Sequence, residues 1–213
     1  MESPLSTVSP ALREVHVAAW AAVAARTDKI TGERATIPPE TPATQFVEES
    51  RYQDAFGVLK HLDTALTLAK LGPLAGLAEL FEAVLPELRW SQNPSYTAEN
   101  CTPEFLDGYA YASFSGPEGP ILLEQPRGGF LLMGPGVAYP DHEHLASEVY
   151  LPLTGNVEWR LDQTEWFPVQ AGELVRHRSF QPHATRAGDI PFLSFVGWLE
   201  PGDRASISFS QAQ

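Results

Sequence analysis

The sequence is poor in cysteine and in basic residues, and both shortages narrow what the protein can be. Cys101 is the only cysteine among 213 residues, so no disulfide can form within the chain. Because structural disulfides belong to oxidising compartments, their absence favours a cytoplasmic protein. Lysine and arginine total 14 against 27 aspartate and glutamate residues, which gives a net charge of −13. A chain this acidic is not expected to bind nucleic acid or an anionic membrane.

Long apolar runs are also missing. No stretch approaches the roughly 20 apolar residues that span a bilayer, so no membrane segment is predicted. The opening MESPLSTVSP lacks the basic and apolar regions of a secretory signal, and none is expected. What the chain does contain is 43% hydrophobic and 10% aromatic residues, enough for a packed core in one compact domain with a helical extension.

The first 90 residues have a helical pattern. Apolar residues recur every three or four positions and predict helices over about 10–26, 43–70 and 74–88. The stripe of the second helix consists of Phe46, Phe56, Leu59, Leu62, Leu66 and Ala69. Pro86 is expected to end or kink the third helix. This part is interpreted as an N-terminal helical cap or dimerisation layer.

After residue 90 the pattern changes to short apolar runs that glycine and proline interrupt. Such runs predict a sandwich or barrel of many short strands. The candidate strands are 108–115, 120–124, 128–133, 146–153, 156–162, 166–170, 173–177, 182–187, 192–200 and 205–210. We therefore predict a mainly β fold, with residues 1–90 as the helical region and residues 91–213 as a β-barrel that carries the functional site.

Histidines are concentrated in the β half, where four of the six lie between residues 142 and 183. His142 and His144 are two residues apart, and Glu148 follows four residues later. In a continuous strand, residues at even steps share one face. Two imidazoles and a carboxylate on one face suit a divalent metal ion, with a fourth ligand from a neighbouring strand. Exposed histidines on an edge strand are the alternative interpretation of the pair.

The run from Gly136 to Gly155 matches the first motif of the cupin family, G-x5-H-x-H-x3-E-x6-G, at every fixed position. The second cupin motif, G-x5-P-x-G-x2-H-x3-N, is retained only at Gly172 and His183. The resemblance implies a cupin barrel, also called a double-stranded β-helix or jelly roll. It also implies one metal ion held by His142, His144, Glu148 and His183. His177 lies outside the motif, and we expect a structural role for it.

Within the cupins, the sequence resembles the lyases that cleave dimethylsulfoniopropionate (DMSP) into dimethyl sulfide and acrylate. Those lyases carry a tyrosine two residues after the glutamate, matched by Tyr150, and another before the first histidine, matched by Tyr139. A tryptophan in the strand after the last ligand is matched by Trp198, and a helical region precedes the barrel in both. The resemblance implies a carbon–sulfur lyase whose substrate is a small zwitterion.

A β-elimination needs a base beside the metal ion. Tyr150 is two residues beyond Glu148 and is expected to share its face, so we predict Tyr150 as the base and Tyr139 as its helper. A free phenol has a pKa of about 10, and a nearby cation lowers it. Trp198 and Trp159 are the candidate aromatic faces for the sulfonium group. A buried position in the core is the alternative for each of these four side chains.

Two other functional classes remain open at this level. The same ligands with open positions suit a cupin dioxygenase or isomerase that acts on another small acid. A non-enzymatic cupin sensor is also compatible with the motif, but residues 1–90 hold eight basic and twelve acidic residues, unlike a DNA-binding region. The ligand set suits Zn, Fe, Mn, Co or Ni, and the apolar helices make a homodimer plausible.

Overall fold

The structure is a computed structural model that describes residues 8–43, 51–52, 56–200 and 208–209. In this part of the chain the helices are α1 (Pro10–Ala24), α2 (Leu62–Lys70), α3 (Ala75–Val84) and α4 (Pro103–Gly108). The strands are β1 (Thr41–Pro42), β2 (Arg51–Tyr52), β3 (Trp90–Gln92), β4 (Tyr109–Ser115), β5 (Leu123–Gln125), β6 (Arg127–Met133), β7 (Ala138–Glu143), β8 (Glu148–Pro152), β9 (Val157–Leu161), β10 (Phe167–Val169), β11 (Val175–His177), β12 (His183–Ala187), β13 (Phe192–Trp198) and β14 (Ser208–Phe209). The predicted mainly β fold is confirmed.

The first helix forms where the sequence predicts it. The Ser9 side chain accepts a hydrogen bond from the Leu12 backbone N–H at 3.1 Å, and Pro10 occupies the first turn, where its missing N–H costs nothing. One face of α1 is buried against the rest of the molecule. Its buried residues are Leu12, Val15, His16, Ala19, Trp20 and Val23.

The second predicted helix is shorter than the sequence indicated. Arg51–Tyr52 is a strand that pairs with β3, and helical structure begins only with a 3-10 turn at Gly57–His61 that leads into α2. Pairing with a distant strand has therefore overridden the local helical pattern. Residues 44–50 and 53–55, which include Phe46, lie outside the described residues. The third helix ends at Val84, and Pro86 follows it in a 3-10 turn, as predicted.

Two antiparallel sheets form the body of the protein. One has five strands in the order β10-β9-β12-β7-β14, and the other has seven in the order β11-β8-β13-β6-β4-β3-β2. A small third sheet joins β1 to β5. Side chains of the two large sheets pack together in one apolar cluster, which includes Trp159 from β9 and Tyr150 from β8. The large sheets therefore face each other as the layers of a sandwich.

Helices α1, α2 and α3 cover the outer face of the seven-stranded sheet. Phe81 of α3 stacks on Phe130 of β6 with ring centroids 3.9 Å apart, and Trp20 of α1 packs edge-on against Phe195 of β13 at 5.2 Å. The strand β6 is buried on both faces, which explains its unbroken apolar run. Strand β2 lies within the predicted helical region, so the seven-stranded sheet contains residues from both sides of residue 90. The division into 1–90 and 91–213 stays a prediction.

In the described part of the chain, no helix has the length and apolar character needed to cross a membrane.

Candidate metal centre and active site

The first three predicted ligands lie where the chain passes from one sheet to the other. His142 is in β7 of the five-stranded sheet, His144 directly follows that strand, and Glu148 opens β8 of the seven-stranded sheet. The strand is therefore not continuous, and the even-step argument for Glu148 was wrong in its reason. The three side chains meet because the two sheets face each other.

Strand register brings further groups to the same place. His183 of β12 is the partner of His142 in β7. Glu148 has His177 of β11 opposite it on one side and Trp198 of β13 on the other. Directly opposed residues in antiparallel strands are neighbours on one face. All four predicted ligands are almost wholly buried, with exposed fractions of 1% to 3%.

Three of the histidines are fixed in the same tautomer. In His142, His144 and His183, Nδ1 lies 2.8 Å from a backbone carbonyl oxygen, that of Pro140, Ala146 and Gln181 respectively. A carbonyl only accepts, so each Nδ1 carries the hydrogen. In the neutral form of each ring, Nε2 is then left with a lone pair, and this is the arrangement in which histidine binds metal ions.

The ligand atoms of His142, His144 and His183 converge, and the Glu148 carboxylate lies beside two of these rings, which leaves a gap that suits a cation. Ligand atoms of His142, His144 and His183 all lie within 4.8 Å of one another. Glu148 Oε2 is 3.3 Å from His144 Nε2 and 3.5 Å from His183 Nε2. Ligand atoms of a tetrahedral ion with bonds near 2.1 Å are about 3.4 Å apart. His183 Nε2 is buried without a hydrogen-bond partner, as a ligand to an ion would be.

A second group of ligand atoms overlaps the first. Glu148, His177 and His183 also lie within 4.8 Å of one another, and the rings of His177 and His183 stack at 3.7 Å. The sequence predicted only a structural role for His177. The structure places it in contact with the carboxylate of the candidate site.

The charges of the site favour a bound cation. Burial alone would raise the pKa of Glu148, but the charge and hydrogen bond of His144, together with the hydrogen bond from His177, hold it well below its usual range. Glu148 is therefore a carboxylate near neutral pH. Burial, reinforced by His183 and His144, keeps the pKa of His142 well below normal, so that ring is neutral. Burial lowers the pKa of His144, but Glu148 outweighs it and the net shift is upward.

Both predicted tyrosines line one cavity together with His142, His144, Glu148 and Trp198. Tyr150 is buried, and its pKa is raised well above 10 by burial and by the charge of Glu148. Tyr139 is half-buried, lies 4.6 Å from the His142 ring between centroids, and has a pKa raised by burial and by Tyr96. In the protein alone both phenols are protonated, so a phenolate here requires an added positive charge.

The two predicted tryptophans have different positions. Trp198 lines the cavity and donates its indole N–H to Glu148 Oε1 at 2.6 Å. Trp159 is fully buried, is not among the residues that line the cavity, and donates its N–H to His177 Nε2 at 2.9 Å. The ring of Trp159 lies in the interior between the sheets, and its contact with substrate stays a prediction that the lining of this cavity does not support.

Sequence reasoning missed several side chains that line the cavity. They are Asn93, Tyr96, Tyr109, Tyr111, Glu118 and Arg127. The hydroxyl oxygens of Tyr96 and Tyr139 are 2.6 Å apart. The alternation of tyrosines at 109 and 111 was an available signal, because residues two apart in a strand share a face. Tyr96 and Asn93 lie outside regular structure and gave no such signal.

Comparison with known proteins identifies the family to which the chain belongs. The family model described as dimethylsulfoniopropionate lyase matches residues 39–194, which is more than half of the sequence. The chain belongs to the DMSP lyase family. Its predicted resemblance to that family is therefore confirmed.

Two relatives of this DMSP lyase family member share 30% sequence identity with it. DMSP lyase DddQ of Ruegeria pomeroyi aligns over 124 residues, which are 58% of this chain and 61% of the relative. DddL of Cereibacter sphaeroides aligns over 149 residues, which are 69% of this chain and 61% of the relative. The chain thus spans about three fifths of the length of the curated relatives it matches.

Solved structures support the same fold. The structure of DddQ from Ruegeria pomeroyi covers 97% of this chain and all of its own, with a TM-score of 0.67 at 23% identity. A structure reported for the DMSP lyases RdDddP and RnDddQII covers 94% of this chain and 98% of its own, with a TM-score of 0.66 at 25% identity. The predicted cupin barrel with preceding helices is therefore confirmed.

Proposed function

We propose that this protein is a metal-dependent lyase that cleaves DMSP into dimethyl sulfide and acrylate. The observation that carries the proposal is the cluster of three histidine ligand atoms with a carboxylate next to it and two tyrosines in the same cavity, in a chain of the DMSP lyase family. Neither the site nor the family membership is sufficient alone, because fold and family do not determine an activity without a site.

The residues that would hold the ion are His142, His144, Glu148 and His183. Three imidazoles and one carboxylate suit a single divalent ion of Zn, Fe, Mn, Co or Ni, and this donor set does not choose among them. When bound, the ion would act as a Lewis acid that withdraws charge from the substrate carboxylate and favours the phenolate of a nearby tyrosine.

Tyr150 is the proposed base. Its oxygen would take the proton from the carbon next to the substrate carboxylate, and the freed electron pair would form the carbon–carbon double bond of acrylate. The carbon–sulfur bond breaks as its electrons pass to sulfur, which leaves as neutral dimethyl sulfide. Tyr150 is 5% exposed, so water would not compete for this proton. Tyr139, hydrogen-bonded to Tyr96, is the proposed helper.

The aromatic walls of the cavity are the proposed site for the sulfonium group. Trp198, Tyr109 and Tyr111 line it, and an aromatic face attracts a cation by about 0.5–2 kcal/mol. Because the indole N–H of Trp198 is directed to Glu148, its ring is held in one orientation. The substrate has no net charge, so the acidic character of the protein would not repel it.

The experiment is to add DMSP to purified protein and measure dimethyl sulfide in the gas phase, with and without a metal chelator. We expect release by metal-loaded protein and its loss on chelation. Acrylate should appear in equal amount, since the elimination yields one of each product. If loaded protein releases none and instead consumes oxygen with another small acid, the dioxygenase interpretation replaces this one.

A further inference from the structure

The carboxylate of Glu148 is held at both oxygens by its neighbours within the seven-stranded sheet. Trp198 Nε1 donates to Oε1 at 2.6 Å, and His177 Nδ1 lies 3.1 Å from Oε2. These residues occupy matching register positions on β13, β8 and β11, with Glu148 in the middle. Two contacts at fixed positions leave the carboxylate little freedom to rotate.

A residue of the five-stranded sheet determines which atom donates in the contact between His177 and Glu148. The indole nitrogen of Trp159, in β9, lies 2.9 Å from His177 Nε2. An indole N–H can only donate a hydrogen bond. His177 Nε2 must therefore accept. A histidine ring whose Nε2 accepts a hydrogen bond has no hydrogen on that atom. Its one hydrogen is consequently on Nδ1 and is donated to Glu148.

The position of the hydrogen on His177 shows which of the two overlapping groups of ligand atoms can bind a metal ion. In the group of Glu148, His177 and His183, His177 would have to offer a lone pair at Nδ1. That atom carries the hydrogen, and the lone pair at Nε2 is used by Trp159. His183 differs, because its Nε2 has no partner and its Nδ1 donates to a carbonyl.

We propose that His177 is a positioning residue, which orients Glu148 toward the metal ion through a Trp159–His177–Glu148 hydrogen-bond chain and does not itself bind the ion. The chain runs from the five-stranded sheet to the seven-stranded sheet across the interior. Because Trp198 donates to Oε1, Oε2 is the oxygen left to coordinate, and the contact with His177 holds Oε2 on the side of His144 and His183. The inference rests on the metal site proposed above.

The direct test is nuclear magnetic resonance of the full chain with nitrogen-15 labels, before and after addition of Zn²⁺. Long-range proton–nitrogen correlations identify which ring nitrogen carries hydrogen in each histidine. We expect His177 to keep its hydrogen on Nδ1 in both states, while Nε2 of His142, His144 and His183 shifts on addition of Zn²⁺. The spectrum of His177→Gln assigns the His177 signals.

Variants provide an independent measurement, in which Zn²⁺ affinity is determined by competition with a chromophoric chelator. His177→Leu removes both hydrogen bonds and should weaken Zn²⁺ binding about 10- to 100-fold, with one ion still bound per chain. His177→Gln keeps an amide donor and an acceptor carbonyl, so its affinity should stay within a few-fold of the wild type. His183→Gln is the matched control at a proposed ligand and should lose more affinity than either.

Three results would overturn the inference. One is loss of the Nδ1 hydrogen of His177 when Zn²⁺ is added, because that would make it a ligand. Another is a loss of affinity in His177→Gln as large as in His183→Gln. If Zn²⁺ shifts none of the histidine rings, the metal site itself fails, and this pattern is distinct from the other two. The wild-type spectrum remains decisive if a variant does not fold.

Discussion

The protein has two cores of different chemical character, one on each side of the seven-stranded sheet. The outer core, between helices α1–α3 and that sheet, is an apolar cluster of aliphatic residues, phenylalanines and tryptophans among the described residues, with His16 buried against it. The inner core, between the two large sheets, contains Tyr96, Tyr109 and Tyr150 and borders the buried cluster of histidines and Glu148. The strand β6 serves both, since Phe130 belongs to the outer core and Leu131 to the inner one.

The difference shows how one sheet can combine stability with chemistry. Apolar burial in the outer core stabilises the fold without any pairing requirement. Each polar group of the inner core must instead be hydrogen-bonded or matched to a cation, and any defect there is costly. Changes in the inner core should therefore alter function most, and changes in the outer core should alter stability most.

The largest expected effect is on the proposed base. Tyr150→Phe removes one hydroxyl from the inner core and should lower dimethyl sulfide production by about 10²- to 10⁴-fold, because general base catalysis contributes that much. Metal content should be unchanged, which elemental analysis would establish. Tyr139→Phe is the matched comparison and should lose less; an equal or greater loss there would transfer the role of base to Tyr139.

The next effect is on stability alone. Phe81 is fully buried in the outer core and stacks on Phe130. Phe81→Ala should lower the free energy of unfolding by about 3–5 kcal/mol, measured by denaturant titration. Phe81→Leu is the control, with a smaller loss. A marked change of metal affinity in still-folded Phe81→Ala protein would mean that the two cores are not independent.

A smaller effect is expected at Trp198. Trp198→Phe keeps an aromatic wall but removes the N–H that Glu148 Oε1 accepts. Partners of metal ligands commonly contribute 10- to 100-fold to affinity, and we expect about tenfold weaker metal binding. Trp166→Phe is the control, since Trp166 packs against the guanidinium groups of Arg160 and Arg186 and does not line the cavity. Equal affinities of the two variants would exclude a role for this hydrogen bond.

The smallest effect concerns the one buried histidine of the outer core. Burial, opposed by Glu40, lowers the pKa of His16 below 6.5. As the pH drops below 6.5, the unfolded chain binds a proton at this ring before the folded protein does. The free energy of unfolding should therefore fall over that range. The slope from one group is at most about 1.4 kcal/mol per pH unit. His16→Leu should show a shallower fall than the wild type between pH 6.5 and 5, and identical slopes would contradict this account.

The fold class and the cluster of candidate ligands were predictable because both depend on local sequence patterns. Short apolar runs predicted most of the strands after residue 90, though not β7 (Ala138–Glu143), and the resemblance to the cupin motifs identified the side chains that the structure brings together. The reason given for Glu148 was nevertheless wrong, because a turn at residues 144–147 separates it from His142. Spacing alone does not distinguish one strand from two strands that face each other.

Features that depend on distant pairing were not predictable. The strand at Arg51–Tyr52 exists through its contact with β3, and the link from Trp159 to His177 crosses between sheets. No periodicity within a single segment encodes either contact. The same limit applies to Tyr96, whose hydroxyl meets that of Tyr139 from 43 positions away in the sequence.

The most direct test of the account is a titration of metal-free protein with divalent metal while dimethyl sulfide production from DMSP is measured. The account predicts negligible activity without metal, a linear rise up to one ion per chain, and a plateau beyond it. Full activity in metal-free protein, or metal binding at one ion per chain with no activity toward DMSP, would contradict it.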